Sequence, residues 1–265
     1  MPLLAYVLVT GSRRLHSIFV LRMFNDCITM PIMHLCIYAA LMEQWTLSSV
    51  MFGLALTTKM NVLLFYPALL MLQMARIPRR SLVLNQAAIL MIQTVVAIPF
   101  LRVNPKGYLS LAYNVNREFQ WVWTVNWRFL GQGIFMFLQR SKLLLIIMTI
   151  SYLVWIGHRR RLFAQASPAD VAALFFESNL IGIILSKSLH YQFLAWYSLS
   201  IPLLLLRNPT MHWGVAIGAM VAIELCWNVY PSTPISSMVL FSLNLATLMH
   251  GLAVPGGDYH KIMME

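Results

Sequence analysis

The stretch Lys187-Ser188-Leu189-His190-Tyr191-Gln192-Phe193-Leu194-Ala195-Trp196-Tyr197, here called the island, lies between two apolar runs, 171–186 and 198–206. Its polar side chains are costly in hydrocarbon unless they face a partner, a cavity or the membrane surface. If the island is an α-helix, one face carries His190, Tyr191, Phe193, Leu194 and Tyr197. Two interpretations stay open: an aromatic belt at the membrane interface, or a surface that binds substrate.

The chain around the island is apolar enough to indicate a membrane protein. Of its 265 residues, 60% are hydrophobic and 10% are charged, and the mean hydropathy is +0.72. Apolar runs of about twenty residues recur, which is the length that crosses a hydrocarbon core about 30 Å thick as an α-helix. Because the alternating pattern of barrel strands is absent, we predict an all-α, polytopic transmembrane helical bundle.

We predict one transmembrane domain, 1–265, with about eight crossings after an apolar stub at 1–10 that is typical of the end of a span. The predicted crossings are 27–42, 46–75, 82–101, 143–157, 169–187, 190–206, 211–230 and 235–254. Lys59-Met60-Asn61 interrupts the run 46–75, which is too long for one straight crossing, so we expect a broken or tilted helix there. Lys59 itself either extends to the membrane surface or binds an anion.

Basic residues in short loops predict the cytoplasmic side of the membrane. The predicted cytoplasmic segments are the basic connector 12–26, the cluster 76–80, the loop 158–168 and Arg207. The predicted opposite, lumenal side holds 43–45, the connector 102–142, the end of the island and 231–234. We expect interfacial amphipathic helices within the connector 102–142.

The formal charge of +11 falls mostly between the spans, where basic residues meet head groups or phosphates, so we do not expect nucleic-acid binding. The connector 102–142 carries six cations and one acid, Glu118, which favours a surface that binds phosphate. We expect no metal or cofactor, because Cys27, Cys36 and Cys226 lack a paired spacing and no metal, nucleotide or redox motif is present.

A general base would be a carboxylate on the non-cytoplasmic side. Only Glu118 and Glu43 satisfy this in the predicted topology, and neither has a second acid nearby. Glu224 lies within a predicted span with Trp227 and Asn228, where it either orients a substrate or hydrogen-bonds a neighbouring helix.

Six groups of residues, in order, resemble one family. They are Arg13-Arg14-Leu15-His16-Ser17-Ile18-Phe19-Val20-Leu21-Arg22 with Phe24-Asn25-Asp26, Lys59-Met60-Asn61-Val62-Leu63-Leu64-Phe65, Asn104-Pro105 with Gly107-Tyr108-Leu109, Thr124-Val125-Asn126-Trp127-Arg128-Phe129-Leu130, Ser186 with Ser188-Leu189-His190-Tyr191-Gln192-Phe193 and Trp196-Tyr197, and Trp227-Asn228 with Tyr230-Pro231-Ser232-Thr233. The chain resembles the dolichyl-phosphate-mannose-dependent alpha-1,3-mannosyltransferases of asparagine-linked glycosylation over nearly all of 12–234.

The resemblance implies a multi-span glycosyltransferase of the GT-C type in the endoplasmic reticulum membrane. It would transfer mannose, with inversion, from dolichyl phosphate mannose to the lumenal five-mannose glycan on dolichyl diphosphate. In this type of enzyme the base is thought to lie in the first lumenal loop. This sequence lacks that loop, so we expect a fragment or a partial form and leave the catalytic residue unknown.

The donor's phosphate leaving group calls for fixed positive charge or hydrogen-bond donors. The candidates for this role are Arg102, Arg117, Arg128 and His190. The candidates for lining the sugars or the dolichol groove are Asn126, Trp127, Tyr191, Gln192, Trp196 and Tyr197, and Lys187 is a further substrate-binding candidate. Two other classes stay open: a lipid or solute transporter or flippase with Lys59 and Glu224 along its path, and a structural membrane subunit.

Overall fold

The computed structural model describes residues 3–112 and 118–254. Every regular element in these segments is helical, which confirms the all-α prediction. The α-helices are α1 (Leu3–Thr10), α2 (Arg13–His16), α3 (Asp26–Leu41), α4 (Trp45–Thr58), α5 (Tyr66–Arg76), α6 (Arg79–Val103), α7 (Pro105–Ala112), α8 (Gly131–Arg140), α9 (Leu143–Gln165), α10 (Pro168–Ile184), α11 (Ser200–Leu206), α12 (Trp213–Asn228) and α13 (Pro234–Leu252). Four 3₁₀ turns, Met60–Phe65, Trp121–Trp123, Arg128–Leu130 and Tyr191–Trp196, and a π-helical turn, Ser17–Leu21, complete them.

Helices of membrane-spanning character mark the protein as membrane-embedded. Within the described residues, α6, α9 and α13 are each long and apolar enough to cross a bilayer alone. A fourth candidate is the pair Arg13–Leu21 and Asp26–Leu41, which is bent by 107°. The prediction of eight crossings is therefore not confirmed.

Helix α10 is the centre of the bundle, and its start is encoded locally. The Ser167 side chain accepts a hydrogen bond from the Asp170 backbone, the Asp170 carboxylate accepts one from Ser167, and Pro168 occupies the first turn. Every residue from Asp170 to Ile184 is buried, and α3, α5, α9, α11 and α13 pack around this helix. At Gly182 an added Cβ would lie 2.4 Å from the Leu64 side chain, so a larger residue here would force that side chain to move.

Two buried ion pairs join α10 to its neighbours. Arg159 of α9 donates to Glu177 at 3.0 and 2.6 Å, and Arg207 pairs with Asp170. A charge inside the bundle is tolerated because it meets an opposite charge with good hydrogen-bond geometry. The predicted polar loop 158–168 is wrong, since α9 continues to Gln165 with Arg159 on its buried side.

The predicted break at Lys59 is confirmed, but the chain then turns back. Helix α4 ends before Lys59, whose backbone is extended, and a 3₁₀ turn leads into α5. Gln73 of α5 donates to the carbonyl of Trp45, the first residue of α4, at 3.3 Å. Arg76, the last residue of α5, meets Glu43 at 3.2 Å. Helices α4 and α5 are therefore antiparallel, and the run 46–75 returns to the end at which it begins.

The bundle has two ends, which we call the Arg76 end and the island end after the residues that lie there. At the Arg76 end, Arg76 donates to the carbonyls of Phe163 and Ala166 at 3.0 and 2.5 Å. At the island end, the Arg14 guanidinium lies 4.8 Å from the centroid of the Tyr191 ring.

The predicted grouping of loops is therefore wrong for two segments. Residues 43–45 lie at the Arg76 end, through the Glu43–Arg76 contact, and the connector 12–26 lies at the island end. The error follows from counting 46–75 as a single crossing. Lys59, for its part, donates to both carboxylate oxygens of Asp26 at 2.6 and 2.8 Å, so both earlier interpretations of this lysine are replaced by a partly buried ion pair.

Candidate functional site

The island is not the α-helix that its predicted face required. Helix α10 ends at Ile184, residues 186–190 are irregular, and a 3₁₀ turn covers Tyr191–Trp196. The predicted crossing 190–206 is α-helical only over α11. The residues of the predicted face separate into a half-buried group, His190, Tyr191 and Phe193, and a buried group, Leu194 and Tyr197. The prediction that these five residues share one helical face is therefore wrong.

Hydrogen bonds from the connector 102–142 hold the island in this irregular form. The Asn126 amide accepts from the Leu189 N–H at 2.9 Å and donates to the Ser186 carbonyl at 2.8 Å. Trp127 donates its ring N–H to the same carbonyl at 2.8 Å. The Val125 N–H donates to the Leu189 carbonyl at 2.9 Å. Backbone groups that an α-helix would pair internally are satisfied from sixty residues away in sequence.

Lys187 and Gln139 form a second fastening between the island and helix α8. The Gln139 side chain donates to the Lys187 carbonyl at 2.6 Å, and the Lys187 ammonium donates to the Gln139 carbonyl at 3.0 Å. Below this pair, Phe135 and Leu138 of α8 pack with Trp127 in a small apolar cluster. The island and the second half of the connector thus form one unit.

The half-buried edge of that unit is the candidate site. His190 lies between Phe119 and Phe193, with ring centroids 5.5 and 6.1 Å away and ring planes tilted by 49° and 47°. The Tyr191 hydroxyl donates to the Val229 carbonyl at 2.8 Å. The Gln192 side chain has no hydrogen-bond partner among the described residues. This edge therefore offers an imidazole, aromatic faces and an amide whose donors and acceptor are open to a ligand.

Trp196 and Tyr197 lie inside the bundle, away from the half-buried edge. Both are 1% exposed. The Tyr197 hydroxyl accepts a hydrogen bond from the Trp227 ring N–H at 2.8 Å, and the Lys59 ammonium lies 5.2 Å from the centroid of the Trp196 ring. Their packing links the island to α12 and to the turn between α4 and α5.

The predicted phosphate-binding cations are not brought together at this edge. Arg102 is exposed at the end of α6. Arg128 donates to the Trp121 carbonyl at 2.6 Å and covers the Trp121 ring. Arg117 lies outside the described residues. The guanidinium that does contact the island is Arg14, which the predicted topology placed on the opposite side.

Of the two carboxylates considered as a base, one lies near the island. Glu118 is exposed, pairs with Arg140 at 3.1 Å, and directly precedes Phe119, the ring beside His190. Glu43 lies at the Arg76 end, so it does not share the island's end as the predicted topology required. Within 3–112 and 118–254, no three His, Cys, Asp or Glu side chains are grouped as metal ligands would be.

A cavity of about 210 Å³ lies beside the island. It is lined by Leu8, Val9, Gly11, Ser12, Leu15, Leu194, Ser198, Ile201, Met220, Val221, Ile223, Glu224 and Leu225. Glu224 accepts hydrogen bonds from the Ser12 hydroxyl at 2.7 Å and from the Arg14 N–H at 3.2 Å. These bonds confirm that Glu224 joins α12 to a neighbouring segment.

Comparison with known protein families identifies the chain. The family model described as ALG3 protein matches residues 1–237. The chain belongs to the ALG3 family. This confirms the resemblance carried by the six groups of residues.

Three relatives of this ALG3-family chain are named as the same type of mannosyltransferase. It is 37% identical over 265 residues to the "Probable Dol-P-Man:Man(5)GlcNAc(2)-PP-Dol alpha-1,3-mannosyltransferase" of Dictyostelium discoideum, a match covering 94% of this chain and 59% of the relative. The Arabidopsis thaliana and Homo sapiens proteins named Dol-P-Man:Man(5)GlcNAc(2)-PP-Dol alpha-1,3-mannosyltransferase are 35% and 36% identical, over 98% and 94% of this chain and 66% and 61% of their own lengths. The chain thus spans less than two thirds of the length of these curated relatives. No solved structure matches it.

Sequence reasoning missed Arg14 and Arg159. A signal for Arg14 was available, since it lies in the first of the six groups, but the assumed topology set it aside. Arg159 lay in a run of basic residues, His158-Arg159-Arg160-Arg161, that is typical of a cytoplasmic loop.

Proposed function

We propose that this ALG3-family chain contributes the substrate-binding part of an alpha-1,3-mannosyltransferase. The reaction transfers mannose from dolichyl phosphate mannose to the five-mannose glycan carried on dolichyl diphosphate. The names of the relatives support this reaction. The observation that carries the proposal for the site is the joint through Asn126 and Ser186, which makes the connector and the island one unit.

His190, Tyr191 and Gln192 are the proposed substrate contacts at the half-buried edge. In transfer with inversion, the acceptor hydroxyl attacks the anomeric carbon, its proton passes to a carboxylate, and the dolichyl phosphate leaves with the bonding electrons. Donors fixed near the departing phosphate stabilise the charge that develops there. Two candidates remain for the base: Glu118, and a residue in the part of the relatives that lies outside the match.

The roles proposed for the other candidates follow from their positions. Asn126, Trp127 and Lys187 position the island through its backbone, and Trp196 and Tyr197 support it from inside the bundle. Arg102 and Arg128 would meet substrate only away from this edge. Lys59, which a transport path would use, is paired with Asp26.

We propose that the island end faces the lumen of the endoplasmic reticulum and the Arg76 end faces the cytoplasm. Four exposed arginines at the Arg76 end, Arg79, Arg80, Arg160 and Arg161, support this orientation, although the connector 12–26 at the island end also carries three arginines. A single multi-span domain of the GT-C type is the architecture that fits the proposed reaction. The proposed partners are the two dolichol-linked substrates and membrane lipids.

A chimera tests the reaction. The matched part of the Dictyostelium relative is replaced by this chain, and the product is expressed in cells that lack the mannosyltransferase. We expect the five-mannose lipid-linked glycan to be converted to the product that is one mannose longer. An inserted, stable chimera that leaves the five-mannose lipid unchanged would contradict the proposal. The 265-residue chain expressed alone shows how much of the activity it carries.

A further inference from the structure

We propose that Arg14 binds the phosphate of a polyprenyl phosphate and that the adjacent cavity holds the beginning of its isoprenoid chain. This inference rests on the proposed function, and it assigns one binding residue of the lipid-linked donor. It replaces the predicted role of Arg102 and Arg128, whose guanidinium groups lie elsewhere.

The Arg14 guanidinium is held in place but incompletely satisfied. Its carbon lies 4.8 Å from the centroid of the Tyr191 ring. Its Nε is buried and has no hydrogen-bond partner among the described residues. A buried donor without an acceptor is costly, and an anion at this position would remove that cost. Guanidinium also matches the geometry of phosphate oxygens better than an ammonium group does.

The charges around Arg14 are two further arginines and one carboxylate. Arg13 and Arg22 are close enough to act on Arg14 electrostatically. The opposing charge is Glu224, but its carboxylate accepts hydrogen bonds from Ser12, from the Arg14 backbone and from Asn228. Within the described residues no ion pair joins the Arg14 side chain to an acid. The guanidinium therefore keeps its capacity for an external anion.

The cavity beside Arg14 suits an apolar chain. Ser12 and Leu15, which lie on either side of Arg14 in sequence, both line it. Most of the other lining side chains are aliphatic, so an isoprenoid chain that enters the cavity exchanges contact with water for apolar contacts. Val221 and Leu225 line the cavity and are also exposed, at 43% and 63%. A longer tail can therefore continue from the cavity into the lipid.

Charge and shape together select one occupant. A free phosphate would leave the cavity empty, and a sugar would place most of its hydroxyl groups against aliphatic side chains, because among the described residues only Ser12, Ser198 and Glu224 line the cavity with polar side chains. A phosphate joined to an isoprenoid chain satisfies both Arg14 and the cavity. The ordinary phospholipids of the membrane share the phosphate, so the experiment must distinguish them.

The test measures binding of farnesyl phosphate, a short polyprenyl phosphate, to the purified chain in detergent by native mass spectrometry. Arg14→Ala should weaken binding about 10- to 100-fold, the value of a charge-assisted hydrogen bond, and Arg14→Lys should recover part of it. The matched control is Arg13→Ala, an equal charge change at an exposed neighbour, which should change binding by less than about 3-fold. Farnesol, which lacks the phosphate, should bind all three variants equally.

A second pair of variants tests the cavity. Val221→Trp, at its rim, should weaken both farnesyl phosphate and farnesol, whereas Val215→Trp, exposed on the same helix but outside the cavity, should not. Equal losses for Arg13→Ala and Arg14→Ala would overturn the inference in favour of surface charge. Equal binding of dioleoyl phosphatidic acid would overturn it in favour of a general anionic-lipid site.

The binding test and the chimera test of the proposed function can fail independently. If the chimera is active but the Arg14→Ala variant binds farnesyl phosphate normally, the Arg14 site is excluded and the proposed function stands. An inactive chimera with Arg14-dependent binding would leave the site standing and remove the transferase reaction.

Discussion

At the scale of single residues, adjacent arginines of one basic run have opposite environments. Arg159 is 4% exposed and is fixed by Glu177 and by the carbonyls of Gly251 and Val254. Arg160, the next residue, is exposed. The sequence alone does not distinguish the two arginines, because only the position of α10 decides which of them meets a carboxylate. This environment could not be read from the sequence.

Removing Arg159 should therefore destabilise the bundle, whereas removing Arg160 should not. Arg159→Met removes both guanidinium hydrogen bonds of the buried Glu177. Glu177 keeps the Trp155 ring N–H at 2.9 Å and Arg207 at 4.0 Å. We expect a loss of about 3–5 kcal/mol in the free energy of unfolding. Arg160→Met should cost less than about 0.5 kcal/mol. Unfolding in detergent, followed by tryptophan fluorescence, measures both. The double variant Arg159→Met with Glu177→Met should recover part of the loss, and no recovery would argue against a paired charge.

At the scale of elements, the sequence predicted helices better than it predicted their partners. The break at Lys59 was predictable because a charged and an amide residue interrupt an apolar run. The return of α5 along α4 was not, because it depends on long-range contacts such as Gln73 with Trp45. The island failed for the same reason: the apparent helical spacing of His190 and Tyr197 is overridden by hydrogen bonds from Asn126, which no local pattern reveals.

Helix α8 provides a prediction at this scale, because its two faces differ sharply. Phe135 is 0% exposed and packs with Trp127, whereas Phe137, on the other face, is 60% exposed. Phe135→Ala should lower the free energy of unfolding by about 3–5 kcal/mol, the usual cost of a cavity left by a buried aromatic ring. Phe137→Ala should leave it nearly unchanged in detergent. Similar losses for both would show that α8 does not pack by the face described.

At the scale of the whole molecule, the arrangement of the two ends is the main departure from expectation. Composition was sufficient for an all-α membrane protein, and the six groups of residues were sufficient for the family. The grouping of loops was wrong because one misjudged crossing reverses every segment before it. For the site, the sequence predicted substrate-binding residues in both the island and the connector, and this stays a prediction. It could not show that several of these residues form the joint between the two segments.

The arrangement of ends predicts a labelling pattern. Single cysteines are introduced as Glu43→Cys, Arg160→Cys and Gln120→Cys, after the native cysteines are replaced, and sealed microsomes are treated with an impermeant thiol reagent. Glu43→Cys and Arg160→Cys should react alike, because both positions lie at the Arg76 end. Gln120→Cys should react from the other side. Labelling of Glu43→Cys together with Gln120→Cys would restore the original grouping and contradict the antiparallel α4 and α5.

The central claim is that the half-buried edge of the island binds substrate, and one matched pair tests it most directly. Gln192→Ala is compared with Gln165→Ala, an exposed glutamine at the Arg76 end, in the active chimera. The measurement is mannose transfer to the lipid-linked acceptor, normalised to folded enzyme. If Gln192 contacts the departing phosphate or a sugar hydroxyl, Gln192→Ala should lower turnover by about 10²–10³-fold with unchanged stability, and Gln165→Ala should keep normal turnover. Equal turnover in the two variants would contradict the claim and leave the island as an interfacial aromatic belt.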